Sequence, residues 1–256
     1  MSNAELQAAA RQALACLDLT SLNDGDTEAD IAALCAKAQT PFGPVAAVCV
    51  WPRFVAQARA ALPAAIKVAA VADFPDGALD LPRALADVAA IAQAGGDEVD
   101  VVLPYKALMA GQRAEVAEFL AEVRHASRPL ALKVIIESGE LATPELIREA
   151  TRLALMAGAD FVKTSTGRSR VSATPEAAAV MLAEIAASGL AHAGFKASGG
   201  IRTVAEAQVY LALVADRLGP EALNPRRFRF GASGLLNDIL AQLSGRASAT
   251  AAATGY

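Results

Sequence analysis

The period of the hydrophobic pattern changes repeatedly along the chain. Short apolar or β-branched runs at Cys16 to Thr20, Ala46 to Trp51, Lys67 to Asp73, Glu98 to Leu103, Leu130 to Glu137, Phe161 to Ser165, Gly194 to Ser198 and Phe228 to Ala232 read as eight strands. Between them apolar residues recur at helical spacing. Leu81, Leu85, Val88 and Ala92, for example, predict one buried stripe on a helix packed against a sheet. Helix starts are marked by Thr27 with Asp30, Thr143-Pro144, Thr174-Pro175 and Thr203 with Glu206. In these patterns a side-chain oxygen accepts an otherwise unpaired amide, and proline fits the first turn because its missing N–H has no partner there anyway. Gly95, Gly158, Gly189 and Gly219 stand where those helices should stop. Met1 to Leu17, with Glu5, Gln7, Arg11 and Gln12 among alanines, reads as an extra amphipathic N-terminal helix and not as a signal peptide.

Strand and helix alternating eight times in 256 residues is the pattern of an α/β fold of the (β/α)8 TIM-barrel type, with residues 1–256 forming one domain. An open doubly wound sheet would permit the same alternation, but no strand is followed by a dinucleotide G-x-G-x-x-G or a P-loop. Ala94-Gly95-Gly96-Asp97 before one strand returns as Ala157-Gly158-Ala159-Asp160 before another, a weak internal repeat. Residues 245–256, rich in Ala, Ser and Thr, are expected to form a mobile C-terminal tail.

Composition narrows the function classes. The chain is 54% hydrophobic but only 5% aromatic, so alanine carries much of its apolar content, which excludes a disordered or collagen-like chain. Lys and Arg number 23 against 27 Asp and Glu, and the net charge of −4 gives no global attraction for nucleic acid or an anionic membrane. No apolar run approaches the roughly 18 to 20 residues of a membrane span. Cys16, Cys35 and Cys49 are odd in number and lack paired metal spacing, so no disulfide framework is expected and the reading is cytoplasmic. With only His125 and His192 in the chain, no histidine-rich metal site is expected; both, like Trp51, are assigned to packing or the surface.

Side chains alternate faces along a strand, which sorts the charged residues. Val99, Val101 and Leu103 should face the helices and leave Asp100 inward. Phe195 outward puts Lys196 inward, and Lys163 lies opposite Val162. Leu132, Val134 and Ile136 outward turn Lys133 and Glu137 in, and Asp18 between Leu17 and Leu19 follows suit. Structural ion pairs explain Asp18, Lys133 and Glu137 at least as well as a chemical role does. They explain the whole set poorly, because barrel interiors are usually filled by branched apolar residues and buried charges are costly. Lys163, Lys196 and Asp100 are therefore the candidate catalytic residues. Two neighbouring ammonium ions repel, which favours the neutral form of one of them. A neutral amine attacks an aldehyde or ketone to give a Schiff base, with Asp100 moving protons, and needs neither metal nor organic cofactor.

The last two strands run into glycine-rich turns, Ser198-Gly199-Gly200-Ile201-Arg202 and Gly231-Ala232-Ser233-Gly234, where backbone N–H groups can approach a phosphate; Thr166-Gly167-Arg168 adds a hydroxyl and a cation. The residues alone thus point to a phosphorylated carbonyl compound. They also permit a phosphosugar isomerase or synthase using acid/base chemistry, or a non-catalytic phosphometabolite-binding barrel.

Over nearly its whole length the chain resembles the deoxyribose-phosphate aldolase family. The likeness is carried by Leu17-Asp18-Leu19-Thr20, Ala46-Ala47-Val48-Cys49, Asp97 to Val102 with Pro104-Tyr105 and Ala107 to Gly111, Lys133 to Glu137, Lys163 to Gly167, Gly194-Phe195-Lys196 with Gly199-Gly200, and Arg229 to Ser233. The resemblance implies reversible cleavage of 2-deoxy-D-ribose 5-phosphate to acetaldehyde and D-glyceraldehyde 3-phosphate, in deoxyribonucleotide catabolism. It assigns the Schiff base to Lys163, the pKa-perturbing and proton-relaying role to Lys196, and proton exchange to Asp100. Asp18, Thr20, Cys49, Lys133, Thr166 and the terminal Tyr256 become supporting residues. The partners implied are small phosphorylated sugars and aldehydes, with a homodimer compatible with barrels of this kind. The chain departs from the family pattern at Ala197, Ser198, Gly234 and Arg168, positions that bear on the phosphate shell more than on the amine chemistry.

Overall fold

Eight parallel strands close on themselves in the computed structural model, which describes residues 3–245. They are β1 (Leu17–Thr20), β2 (Ala47–Val50), β3 (Lys67–Ala72), β4 (Glu98–Val102), β5 (Ala131–Ile135), β6 (Phe161–Lys163), β7 (Gly194–Ser198) and β8 (Phe228–Ala232). Each pairs with its neighbour in sequence, and β1 pairs with β8 through Leu17 opposite Phe230 and Asp18 opposite Gly231. That closure excludes the open doubly wound sheet and establishes the (β/α)8 barrel. All eight expected strands are present, the last two with the expected bounds and the other six with trimmed ends, because apolarity runs on past the last ladder hydrogen bond. One hairpin, Gln39–Thr40 with Gly43–Pro44, is too short to show a period in the sequence. Among the described residues no helix is long and apolar enough to cross a membrane.

The helix boundaries follow their capping chemistry. Thr27 and Thr203 each accept from the amide three residues on, while Asp30 and Glu206 reach back to the cap amides; Thr143 and Thr174 cap the helices whose first residues are Pro144 and Pro175. The first helix, Asn3–Ala15, buries Ala10, Ala13 and Leu14 and packs on helices Val204–Leu218 and Leu235–Leu243, closing the seam between the ends of the barrel. The stripe expected on helix Leu81–Gln93 is rotated: Ala84, Val88 and Ile91 are buried, Leu85 is half-buried and Ala92 is exposed. From Leu81 the i+3 and i+4 steps trace two adjacent rails, and periodicity alone does not choose between them.

The internal repeat has a physical cause. Asp97 accepts from the Val68 amide at 2.9 Å and Asp160 from the Leu132 amide at 2.8 Å, so each carboxylate ties the entry of its own strand to the strand before it. Each is held by an arginine, Arg59 for Asp97 and Arg124 for Asp160, both at 2.9 Å.

At the carboxyl end of β3, Asp73 adopts a left-handed conformation with φ of 49° and is fully buried. Its carbonyl accepts from the Gly77 amide and its amide donates to the Asp87 carboxylate. Neither of its own carboxylate oxygens has a hydrogen-bond partner among the described residues, and the nearest cation, Arg83, is 3.8 Å away. Burial pushes this carboxyl up to about 7; Arg83 opposes the shift, and Asp80, Asp87 and Asp76 add to it. The folded chain therefore holds the proton more tightly than the unfolded chain, whose aspartates titrate near ~4, and stability falls as pH rises from about 4 to about 7. Asn tolerates the left-handed conformation. Asp73→Asn is expected to be more stable than the parent at pH 8 in urea denaturation, with the gap closing towards pH 5; a parent that is the more stable form at pH 8 contradicts this.

Candidate active site

The barrel interior is charged where aliphatic side chains usually sit. Parallel register sets Lys163 of β6 beside Lys196 of β7, and Lys196 beside Arg229 of β8, so three cations line up on consecutive strands. The carboxylates come from β4 and from β1, the neighbour of β8. Asp100 on β4 takes Lys133 Nζ on one oxygen at 2.8 Å, and on the other both Lys163 Nζ at 2.9 Å and Lys196 Nζ at 2.7 Å. Asp18 on β1 accepts from Lys196 at 2.6 Å and from Arg229. Glu98 pairs with Lys133 and, at 2.8 Å, with Arg229. All seven side chains are buried.

Four cations against three carboxylates leave one positive charge uncompensated. Lys133, Lys196 and Arg229 each hold two carboxylates within 3 Å, Lys133 having Asp18 at 3.9 Å besides, whereas Lys163 contacts only Asp100, on an oxygen it shares with Lys196. Burial, with the nearby Lys196 charge adding to it, accordingly holds Lys163 below the usual lysine range, against the pull of Asp100. Burial also disfavours the charged forms of Lys196 and Lys133, but Asp100 with Asp18, and Asp100 with Glu98, outweigh it and hold both above the usual range. Burial would raise Asp100, yet its three lysines keep it well below the ordinary carboxylate range. The neutral amine is therefore favoured at Lys163 and disfavoured at its neighbours.

Around this network the supporting residues have defined places. Thr20 donates to the Asp18 carbonyl at 2.9 Å. Cys49 on β2 is buried, and burial, with the Asp100 charge nearby, pushes its thiol up to about 11, so it is a neutral thiol at the edge of the lysines. Glu137 lies beyond the end of β5 in a left-handed conformation, and is not the ion-pair partner anticipated. Its carboxylate instead accepts from the Thr166 hydroxyl and amide and from Ser169, pinning the loop after β6. Among the described residues no group of three or more His, Cys, Asp or Glu is placed to hold a metal ion.

The glycine turns converge. The Gly199 amide donates to the Gly231 carbonyl, and a Cβ on Gly199, where φ is 86°, would come within 3.3 Å of Gly167 Cα and 2.6 Å of Ser172. A Cβ on Gly231 would meet Ser198 Oγ at 2.6 Å and Lys196 Cε at 3.0 Å, so glycine there makes room for the lysine stem. Gly234 precedes helix Leu235–Leu243, Ser233 is exposed, Ile201 is buried and Arg202 exposed. Arg168 reaches back to the loop after β1, donating to the Leu22 carbonyl and to Asp24, so its charge is already shared. Tyr256 lies outside the described residues.

The structure thus brings Asp18, Asp100, Lys133, Lys163 and Lys196 into one cluster, with Gly167, Gly199 and Gly231 gathered at the same end of the strands. Sequence reasoning missed Glu98 and Arg229. The alternation that turned Asp100 inward also turns Glu98 inward, two residues earlier, and Arg229 sits inward between the outward Phe228 and Phe230.

A closed eightfold barrel with interior lysines and glycine turns at the carboxyl ends of its strands has the architecture of a barrel enzyme. The family model described as DeoC/LacD family aldolase matches residues 12–241, and the chain belongs to that family; it is an aldolase, a carbon–carbon lyase. It is 49% identical over 251 residues to the deoxyribose-phosphate aldolase of Agrobacterium fabrum, spanning 97% of this chain and 96% of that one. Among solved structures it is similar to the apo form of a protein assigned as deoxyribose-phosphate aldolase from Toxoplasma gondii ME49, with 25% identity, a TM-score of 0.87 and coverage of 96% and 100% of the two chains. A counterpart from Coccidioides immitis gives 28% identity and a TM-score of 0.76, covering 93% and 97%.

Removing one member of a buried pair strands its partners. Arg229→Met should lower the unfolding free energy by about 3–5 kcal/mol in chemical denaturation at pH 7, because Asp18 and Glu98 each lose a cation. A loss under about 1 kcal/mol would place Arg229 among pairs of surface strength.

Proposed function

We propose that the chain cleaves 2-deoxy-D-ribose 5-phosphate reversibly to acetaldehyde and D-glyceraldehyde 3-phosphate through a Schiff base on Lys163, as a step of deoxyribonucleotide catabolism in the cytoplasm. The observation that carries the mechanism is the single shared carboxylate contact of Lys163 among cations that otherwise have at least two. The substrate is taken from the 49% identical relative.

The neutral Lys163 amine adds to the C1 aldehyde. Lys196, as an ammonium bonded to Asp100, supplies the proton with which the carbinolamine loses water, giving a protonated imine. Asp100 then acts as the acceptor, directly or through water, for the proton of the C3 hydroxyl. As that proton leaves, the C2–C3 bond breaks, its electron pair moves to the imine nitrogen, and glyceraldehyde 3-phosphate departs. The remaining enamine is protonated at carbon, and water releases acetaldehyde and regenerates the amine. Each step needs only a proton donor and acceptor beside the nitrogen, which Lys196 and Asp100 are placed to be.

The phosphate is assigned to the backbone amides of Gly167, Gly200 and Gly234 with Ser233, at the N-terminal end of helix Leu235–Leu243 where its dipole favours an anion, while the Gly199 amide is already held by the Gly231 carbonyl. Arg168, shared with Asp24, contributes less charge there than an unpaired cation would. The chain is read as one barrel domain, and the symmetric dimer stays an expectation.

Two outcomes are expected in assays of 2-deoxyribose 5-phosphate cleavage. Lys163→Met should fold and lose about 10³-fold or more in turnover; substantial residual activity overturns the assignment. Lys196→Met should slow the reaction and, by removing the charge that depresses Lys163, move the acid limb of the pH–rate profile to higher pH; an unshifted limb contradicts the perturbing role.

A further inference from the structure

The cations at the other end of the barrel are not used by this chemistry. At the amino-terminal ends of the strands a cavity of about 440 Å³ is lined by Arg11, Lys67, Arg226 and Arg229, by apolar Phe42, Pro44 and Pro225, and by no carboxylate. A second, of about 490 Å³, adjoins it by sharing Lys67, Pro225, Arg226 and Arg229, and adds Arg227 and His192 together with the carboxylates Glu98 and Asp160. In a chain of net charge −4 this is a local concentration of positive charge inside a concave surface, where low-dielectric walls focus the field on an anion.

The nearby carboxylates are already committed. Glu98 holds Arg229 and Lys133, Asp160 holds Arg124, and Asp97 holds Arg59 and, at 3.4 Å, Lys67. The guanidinium groups of Arg11 and Arg226, by contrast, have no ion pair or hydrogen bond among the described residues, although both face the same cavity. A fork of N–H donors left unpaired beside a lysine and a buried arginine fits a tetrahedral dianion, which presents several acceptor oxygens at once.

We propose that the amino-terminal mouth of the barrel is a second anion site, which takes inorganic phosphate or a phosphomonoester on Arg11, Lys67 and Arg226, with Arg229 at its floor. It lies at the opposite end of the strands from the glycine turns, so occupation of one does not require the other.

Crystals of the full chain soaked in tungstate test the location by anomalous scattering. A tungstate within hydrogen-bond distance of Arg226 and Lys67 is expected; an empty mouth, or one filled by an acidic side chain of a neighbouring copy, overturns the site. In solution, equilibrium dialysis with inorganic phosphate and with glycerol 2-phosphate compares the parent with the Arg11→Gln, Arg226→Gln double variant. The variant should bind one equivalent fewer while keeping its turnover without added anion, and the tighter of the two probes distinguishes the free ion from a phosphorylated metabolite. Equal stoichiometry in the two proteins overturns the proposal.

Discussion

One carboxylate, Asp100, holds three lysine side chains at hydrogen-bond distance in the middle of the barrel, and most of what distinguishes this interior follows from that crowding. Buried charges persist only when paired, and four cations cannot all be paired by three carboxylates. The deficit falls on Lys163 because its neighbours have better claims: Lys196 on Asp18, Lys133 on Glu98, and Arg229 on both. A lysine held below its ordinary range is thus the residue of a charge count.

The scaffold keeps that count fixed. Strand register places three cations side by side on β6, β7 and β8, while β1, hydrogen-bonded to β8, supplies Asp18 and β4 supplies Asp100 and Glu98. Gly231 leaves the space through which the Lys196 stem passes, and Glu137 anchors the loop that begins just after Lys163. Ser198 and Thr164 bond to each other across the ends of β6 and β7, so the two strands that carry the lysines leave the barrel together. The same ends gather the glycine turns, joined where the Gly199 amide donates to the Gly231 carbonyl.

Much of this was legible in the sequence, and the reasons are specific. Eight short runs separated by capped helices give the alternation of a (β/α)8 barrel because threonine caps and glycine stops mark boundaries by local chemistry, while closure is seen only in the pairing of β1 with β8. Alternation turned Asp18, Asp100, Lys133, Lys163 and Lys196 inward because each sits between residues that are plainly outward. The same alternation turns Glu98 inward from the first position of its strand and Arg229 inward between Phe228 and Phe230, so both were legible by the same rule. Glu137 was misread because the strand ends two residues before it and the backbone turns left-handed, which reverses the face. The ion-pair partner of Arg168, Asp24, lies far away in sequence, where no periodicity could reveal it.

The central claim is that Lys163, alone among the interior lysines, is the amine available for a Schiff base. Reductive trapping tests it most directly: the protein is incubated with acetaldehyde across a pH series, treated with borohydride and digested, and the adducts are mapped by mass spectrometry. The account predicts an adduct on Lys163 that persists to pH values well below the ordinary lysine range, with Lys133 and Lys196 unlabelled. An adduct on Lys196, or labelling of Lys163 only near the pKa of an ordinary lysine, would contradict it.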